Sequence, residues 1–162
     1  MLDGEQARHA IQVMRFGEGD QIVLFDGSGT EYVALIDQVE KRRLWLSIKS
    51  QRVAPRGIKA NITLAVALPK GDRQKVLVEK LVELGVERLI PLKSNRSVAV
   101  ANQKVVQRLQ KQVVEASKQC GRNRLMKIEG ETTLGGLSEM LEASVLKLIA
   151  DPYQGQAILD VA

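Results

Sequence analysis

The chain has 162 residues, enough for one ordinary domain or two small ones, and its 44% hydrophobic and 27% charged residues are a globular composition. No apolar run reaches the ~18 residues of a membrane span. The polar, acidic start Met1–Glu5 does not read as a signal peptide, and one cysteine (Cys120) with one histidine (His9) excludes an internal disulfide or a Cys/His zinc cluster within one chain. These features predict a cytoplasmic protein with no membrane or metal partner. Aromatic residues, at 3%, are too few for base-stacking platforms. Charge is uneven: residues 69–127 carry 14 basic against 5 acidic side chains, residues 1–68 carry 9 against 8, and residues 128–162 carry 1 against 6. The basic middle third reads as a polyanion-binding face or as a solvated Lys/Arg surface.

Residues 11 to about 50 are strand-like. Gln21–Phe25 is a compact apolar strand, Asp26–Gly29 is a turn cluster tolerant of positive φ, and Glu31–Ile36 returns as the second arm of a hairpin. Leu44–Ile48 alternates as a third strand, with Trp45 expected in the core. Short strands with tight turns predict a small β-barrel. Pro55 and Gly57 interrupt the pattern, dividing the chain into residues 1–56 and 57–162.

From residue 60 the period changes. Asn61–Leu68 reads as a strand buried on both faces. Asp72 can cap a helix whose body is Lys75–Leu84 and whose stripe is Val76, Leu77, Leu81 and Leu84, with Gly85 at its end. Val86–Pro91 is a second strand. Asn102 caps a helix from Gln103 to about Gln119, its stripe formed by Val105, Val106, Leu109, Val113, Val114 and Ala116, and Gly121 ends it. Leu125–Ile128 is a third strand, Thr132 or Thr133 caps a short helix, and Val145–Ala150 is a fourth strand. Strands alternating with helices predict an α/β fold with a parallel sheet, here incomplete at its C-terminus.

Three polar clusters are candidates for chemistry. Lys70 and Arg73, after the first strand of the α/β part, suit a phosphate clamp or a solvated loop. Arg96, in Ser94–Ser97 after the next strand, suits a phosphate or a carboxylate such as Glu115. Glu115 and Gln119 share one helix face, and with Arg122 and Arg124 they could read a base edge and its phosphates, or simply form a charged helix end. Arg15, before the first barrel strand, is a further RNA contact or a solvated side chain. Cys120 reads as a small buried residue and His9 as a surface or packing residue. No Walker A, GxGxxG, HExxH or Ser-centred elbow occurs.

The ordered strings His9–Arg15, Gly19-Asp20 and Phe25–Gly29, followed by Leu68–Arg73, Lys80–Val86, Pro91, Arg96-Ser97, Glu115–Arg122 and Asp151–Tyr153, resemble the RsmE family. These are SPOUT-class methyltransferases that modify uridine N3 in small-subunit ribosomal RNA. The resemblance implies a PUA-like β-barrel over 1–56, the N-terminal part of a SPOUT domain over 57–162, S-adenosyl-L-methionine as cofactor, and a homodimer acting on small-subunit ribosomal RNA or the assembled subunit. It also implies an RNA contact from Arg15 on the barrel, a phosphate path lined by Lys70, Arg73, Arg96, Arg122 and Arg124, and Glu115 and Gln119 ordering the site. The family's Gly-Pro-Glu-Gly-Gly loop and its Leu-Gly-x-Arg-x-Leu-Arg segment, which build the cofactor knot, do not occur in this sequence. These residues alone are expected to be inactive, and no catalytic base is named. A non-catalytic RNA-binding module is the alternative.

Overall fold

The computed structural model describes residues 1–162 apart from 55, 98, 142–145, 152, 154 and 156–162. The N-terminal half is one antiparallel sheet covered by a helix. It comprises β1 (Leu2–Asp3), α1 (Gly4–Gln12), β2 (Gln21–Phe25), β3 (Thr30–Glu40) and β4 (Arg43–Val53), in sheet order β1-β4-β3-β2. β3 and β4 pair from Thr30 opposite Val53 to Glu40 opposite Arg43. Register shifts at Val33/Ala34 and Ile36/Gln38 curl the sheet into a half-barrel, since an extra residue on one strand bends it and increases its twist. Ile22, Ala34, Ile36 and Leu44 fill the concave side beneath Ala7 and Ala10 of α1. α1 was not expected from the sequence: it is only nine residues long, and its inward face is Ala7, Ala10 and a partly buried Ile11. Trp45 is not a core residue: it is 43% exposed, and its indole N–H donates to Glu40 Oε1 at 3.1 Å.

The C-terminal half alternates strand and helix: β5 (Thr63–Val66), α2 (Arg73–Glu83), β6 (Arg88–Pro91), α3 (Gln103–Cys120), β7 (Lys127–Ile128) and α4 (Leu134–Met140). The three strands are parallel in the order β5-β6-β7. The central strand is therefore β6, whose Leu89, Ile90 and Pro91 are fully buried. β5, expected to be buried on both faces, is an edge strand in which Thr63 is exposed and Leu64, Ala65 and Val66 are partly buried. Leu109, Val113 and Ala116 of α3 pack on Val78, Leu81 and Val82 of α2 in the second core. The buried face of α2 is turned from the expected stripe: Val76 and Leu84 are exposed, and Gln74 and Val78 are inside. Asn102 caps α3 by accepting from Val105 N, Thr133 caps α4 by accepting from Gly136 N, and Gly121 leaves α3 in the left-handed region at φ 71°. Asp72 stands at the N-cap of α2 without a side-chain cap bond. Among the described residues the expected fourth strand does not form. Val145 lies outside the described residues, and residues 146–150 are exposed coil. A further strand needs a sheet edge to pair with, and at one edge β7 provides only two residues.

The two halves meet where the β2–β3 turn docks on the segment entering β7. Asp26 shapes this turn by accepting from Ser28 N at 2.8 Å, Ser28 Oγ at 2.6 Å and the Tyr32 hydroxyl at 3.1 Å. The Ser28 bonds hold its carboxyl below the usual aspartate range. Gly27 and Ser28 form backbone bridges with Arg124, and Leu125 N donates to Gly27 O at 3.0 Å. Gly27 has φ +86°, and a Cβ there would lie 2.8 Å from Leu125 Cδ1, so close approach and backbone conformation both demand glycine.

Candidate nucleic-acid interface

A parallel sheet has two chemically distinct edges, one where the strands end and one where they begin. Lys70 and Arg73 follow β5 and Arg96 follows β6, so all three exposed cations stand at the carboxyl edge, where ligands of open α/β sheets bind. Their loops are held by polar contacts. The Gln74 side chain is buried; its amide donates to Pro69 O at 2.8 Å, and its Oε1 accepts from Arg108 of α3. Ser97 Oγ accepts from Ser94 N at 2.6 Å, closing the turn that carries Arg96. Gln74 was not singled out from the sequence. A glutamine beside Arg73 at a helix start carries no pattern that separates it from a solvated residue.

Arg122 and Arg124 precede β7 and therefore stand at the amino edge, on the opposite side of the sheet from Lys70, Arg73 and Arg96. The four-residue strands β5 and β6 separate the two edges by about 13 Å. Arg122 is only 7% exposed, and its Nη1 donates to Val82 O at 3.2 Å, at the end of α2. Burial lowers its pKa, opposed by Cys120 and Glu87. Arg124 is exposed, with its backbone fixed against the β2–β3 turn. Glu115 and Gln119 lie exposed near the C-terminal end of α3. Glu115 pairs with Lys118 at 2.7 Å rather than with Arg96. Arg15 is exposed in the α1–β2 connection at φ 57°. Cys120, expected to be buried, is exposed, and so is His9.

Between Arg122 and Arg124 lies a residue that the sequence reading passed over. Asn123 is 1% exposed and bonds across the junction on every side. Its Nδ2 donates to Ala54 O at 2.7 Å, Glu31 Oε1 at 3.0 Å and Gly29 O at 3.4 Å, and its Oδ1 accepts from Arg56 N at 3.0 Å. Glu31, 4% exposed, is held in turn by Arg52 at 2.7 Å and Arg56 at 2.8 Å. The Arg52 hydrogen bonds keep the Glu31 carboxyl below the usual glutamate range; burial opposes them, and the Arg56 charge adds to them. This seam fixes where the half-barrel sits on the amino edge.

The residues present do not complete a pocket for S-adenosylmethionine. The two segments to which the resemblance assigns cofactor binding do not occur, and Leu146, Leu148 and Ile149, which follow α4, are exposed rather than folded over the sheet. Among the described residues there is no group of His, Cys, Asp and Glu able to hold a metal ion, and no helix is long and apolar enough to cross a membrane.

A family model described as an RNA methyltransferase domain matches residues 57–162, and one described as an RNA methyltransferase PUA domain matches residues 2–49. The ribosomal RNA small subunit methyltransferase E of Bacillus subtilis is 30% identical over 131 residues, covering 78% of this chain and 51% of that protein. The protein of the same name from Rickettsia conorii is 33% identical over 114 residues, covering 68% of this chain and 44% of its own length. The chain thus spans about half the length of these curated relatives. The crystal structure of ribosomal RNA small subunit methyltransferase E from Neisseria gonorrhoeae, bound to S-adenosyl methionine, superposes with a TM-score of 0.88 at 27% identity, covering 99% of this chain and 68% of that one. With its half-barrel, its parallel sheet and the ordered motifs on both, the chain belongs to the RsmE family of RNA methyltransferases.

Proposed function

We propose that this chain serves in the S-adenosylmethionine-dependent methylation of uridine N3 in small-subunit ribosomal RNA, as a homodimer in the cytoplasm acting on the RNA or the assembled subunit. Residues 1–56 act as the PUA-like RNA-binding part and residues 57–162 as the N-terminal part of the SPOUT domain. The observation that carries this reading is the cluster of Lys70, Arg73 and Arg96 on the carboxyl edge, held by Gln74 and the Ser94–Ser97 turn, within a chain of this family. In this role the three cations hold phosphates flanking the target nucleotide, Arg15 adds a contact from the half-barrel, and Glu115 and Gln119 order the site. The target base leaves its stack to be reached, and orientation supplies much of the rate. These residues supply RNA binding, while the cofactor pocket requires the segments this sequence lacks. A second reading, a non-catalytic RNA-binding module, rests on the same exposed carboxyl-edge cations.

The test is methyl transfer from tritium-labelled S-adenosylmethionine to unmodified small-subunit ribosomal RNA. The protein purified from its natural source and this 162-residue chain are assayed side by side. The expected result is N3-methyluridine from the former, and RNA binding without transfer from the latter. No methyluridine from the natural protein would overturn the enzymatic reading and leave the binding module.

A further inference from the structure

The amino edge of the parallel sheet carries a second basic surface, in which Arg56 and Lys59 stand beside the Arg122 and Arg124 that the resemblance implies as RNA contacts. The linker from Arg56 to Asn61 runs past Gly85 and Glu87 ahead of β6, and past Arg122 and Arg124 ahead of β7, enclosing a cleft of about 270 Å³. An adjoining hollow of about 360 Å³ shares Arg56, Gly57, Ile58, Gly85 and Arg122 and extends to Cys120 at the end of α3. The first cleft is lined by Arg56, Lys59, Arg122 and Arg124 against one carboxylate, Glu87. Arg56 is largely engaged by Glu31, so the surplus positive charge comes from Lys59, Arg122 and Arg124. Arg122 is fixed by Val82 O, and the Arg124 backbone is fixed by Gly27 and Ser28. A concave surface lined by one sign of charge concentrates counter-ions more strongly than the same charges on a flat face.

We propose that this amino-edge cleft is a second phosphate-binding site for RNA, gripping the backbone at a point separate from the carboxyl-edge cations, with Lys59 and Arg124 as its exposed contacts. The inference rests on the RNA-binding part of the proposed function. The docked half-barrel builds the cleft, because the turn that locks Arg124 belongs to the antiparallel sheet. RNA that spans both edges is held in one orientation relative to the reacting base, since phosphate contacts fix register without reading sequence.

The experiment is the salt dependence of binding of this chain to a fluorescein-labelled small-subunit ribosomal RNA transcript. Each phosphate contact removed lowers the slope of log K against log salt by about 1. The Lys59→Ala, Arg124→Ala double variant is expected to weaken binding roughly tenfold and to flatten the slope, with melting unchanged. Arg73→Ala with Arg96→Ala is expected to flatten the slope independently, and all four changes together to give the sum. Unchanged affinity and slope in the Lys59/Arg124 variant, beside a clear effect of the Arg73/Arg96 variant, would overturn the second site and leave the proposed function standing. No effect from either pair would overturn both.

Discussion

Asn123 is one uncharged side chain carrying four hydrogen bonds across the junction, and the consequence is steep. Removing it strands buried partners, which costs more than the bonds contributed, because each orphaned group keeps its full desolvation penalty. Asn123→Ala is expected to lower unfolding stability by roughly 2–4 kcal/mol, read from urea midpoints. Gly27→Ala combines a positive φ with a Cβ pressed onto Leu125 and is expected to cost about 1–3 kcal/mol. Glu31 gives the seam a pH dependence of definite sign. Its folded pKa is lowered, so its stabilising contribution is fully present above the unfolded value of about 4.3 and is lost as pH falls through the folded value. Glu31→Gln is expected to be less stable than the parent at neutral pH and to lose less stability on acidification. Midpoints measured between about pH 3 and 7 check this, and parallel pH profiles would refute it.

At the scale of elements, local chemistry and tertiary packing separate. The caps of α3 were legible because a cap is a local bond: Asn102 accepts from Val105 N, and Gly121 adopts the left-handed conformation an L side chain resists. Asn102→Ala is accordingly expected to cost about 1 kcal/mol, measurable as a shift in thermal midpoint. The stripe of α2 was misread because Gln74 takes an inward position that a hydrophobic pattern assigns to an apolar residue. Only its contacts with Pro69 O and Arg108 show why glutamine is inside. α1 is faint in the sequence because its inward face, Ala7, Ala10 and Ile11, is small and spans only nine residues. The run from Leu146 to Ala150 has strand composition and no strand, since a ladder depends on a neighbour and not on propensity alone. The candidate site follows the same division. Which edge a residue occupies is set by chain direction: Lys70 and Arg96 could be placed together from the sequence, whereas Arg122 and Arg124 belong to a loop entering a strand and so stand opposite.

At the scale of the whole molecule the described residues form two apolar cores, one around Ile36 and Leu44 and one around Leu89 and Leu109, and the seam between them includes the polar network of Asn123, Glu31 and Arg56. Polar networks in a low-dielectric junction are strong when fully satisfied and weak once broken. The two halves are therefore expected to unfold together only while that network is intact. In calorimetry the parent chain should give one transition whose calorimetric and van't Hoff enthalpies agree. Asn123→Ala should separate it into two, because each core retains its own burial while the term linking them is lost. The carboxyl-edge loops are held by Gln74 within the C-terminal half, so they should keep their share of RNA binding in that variant, whereas the amino-edge cleft loses the docked turn that fixes Arg124. The same substitution should thus flatten the salt dependence of RNA binding as removal of Lys59 and Arg124 does, with no basic residue altered. A single transition together with an unchanged slope would show that the halves are coupled by packing around Leu125 and Gly27, and that Asn123 only fills space.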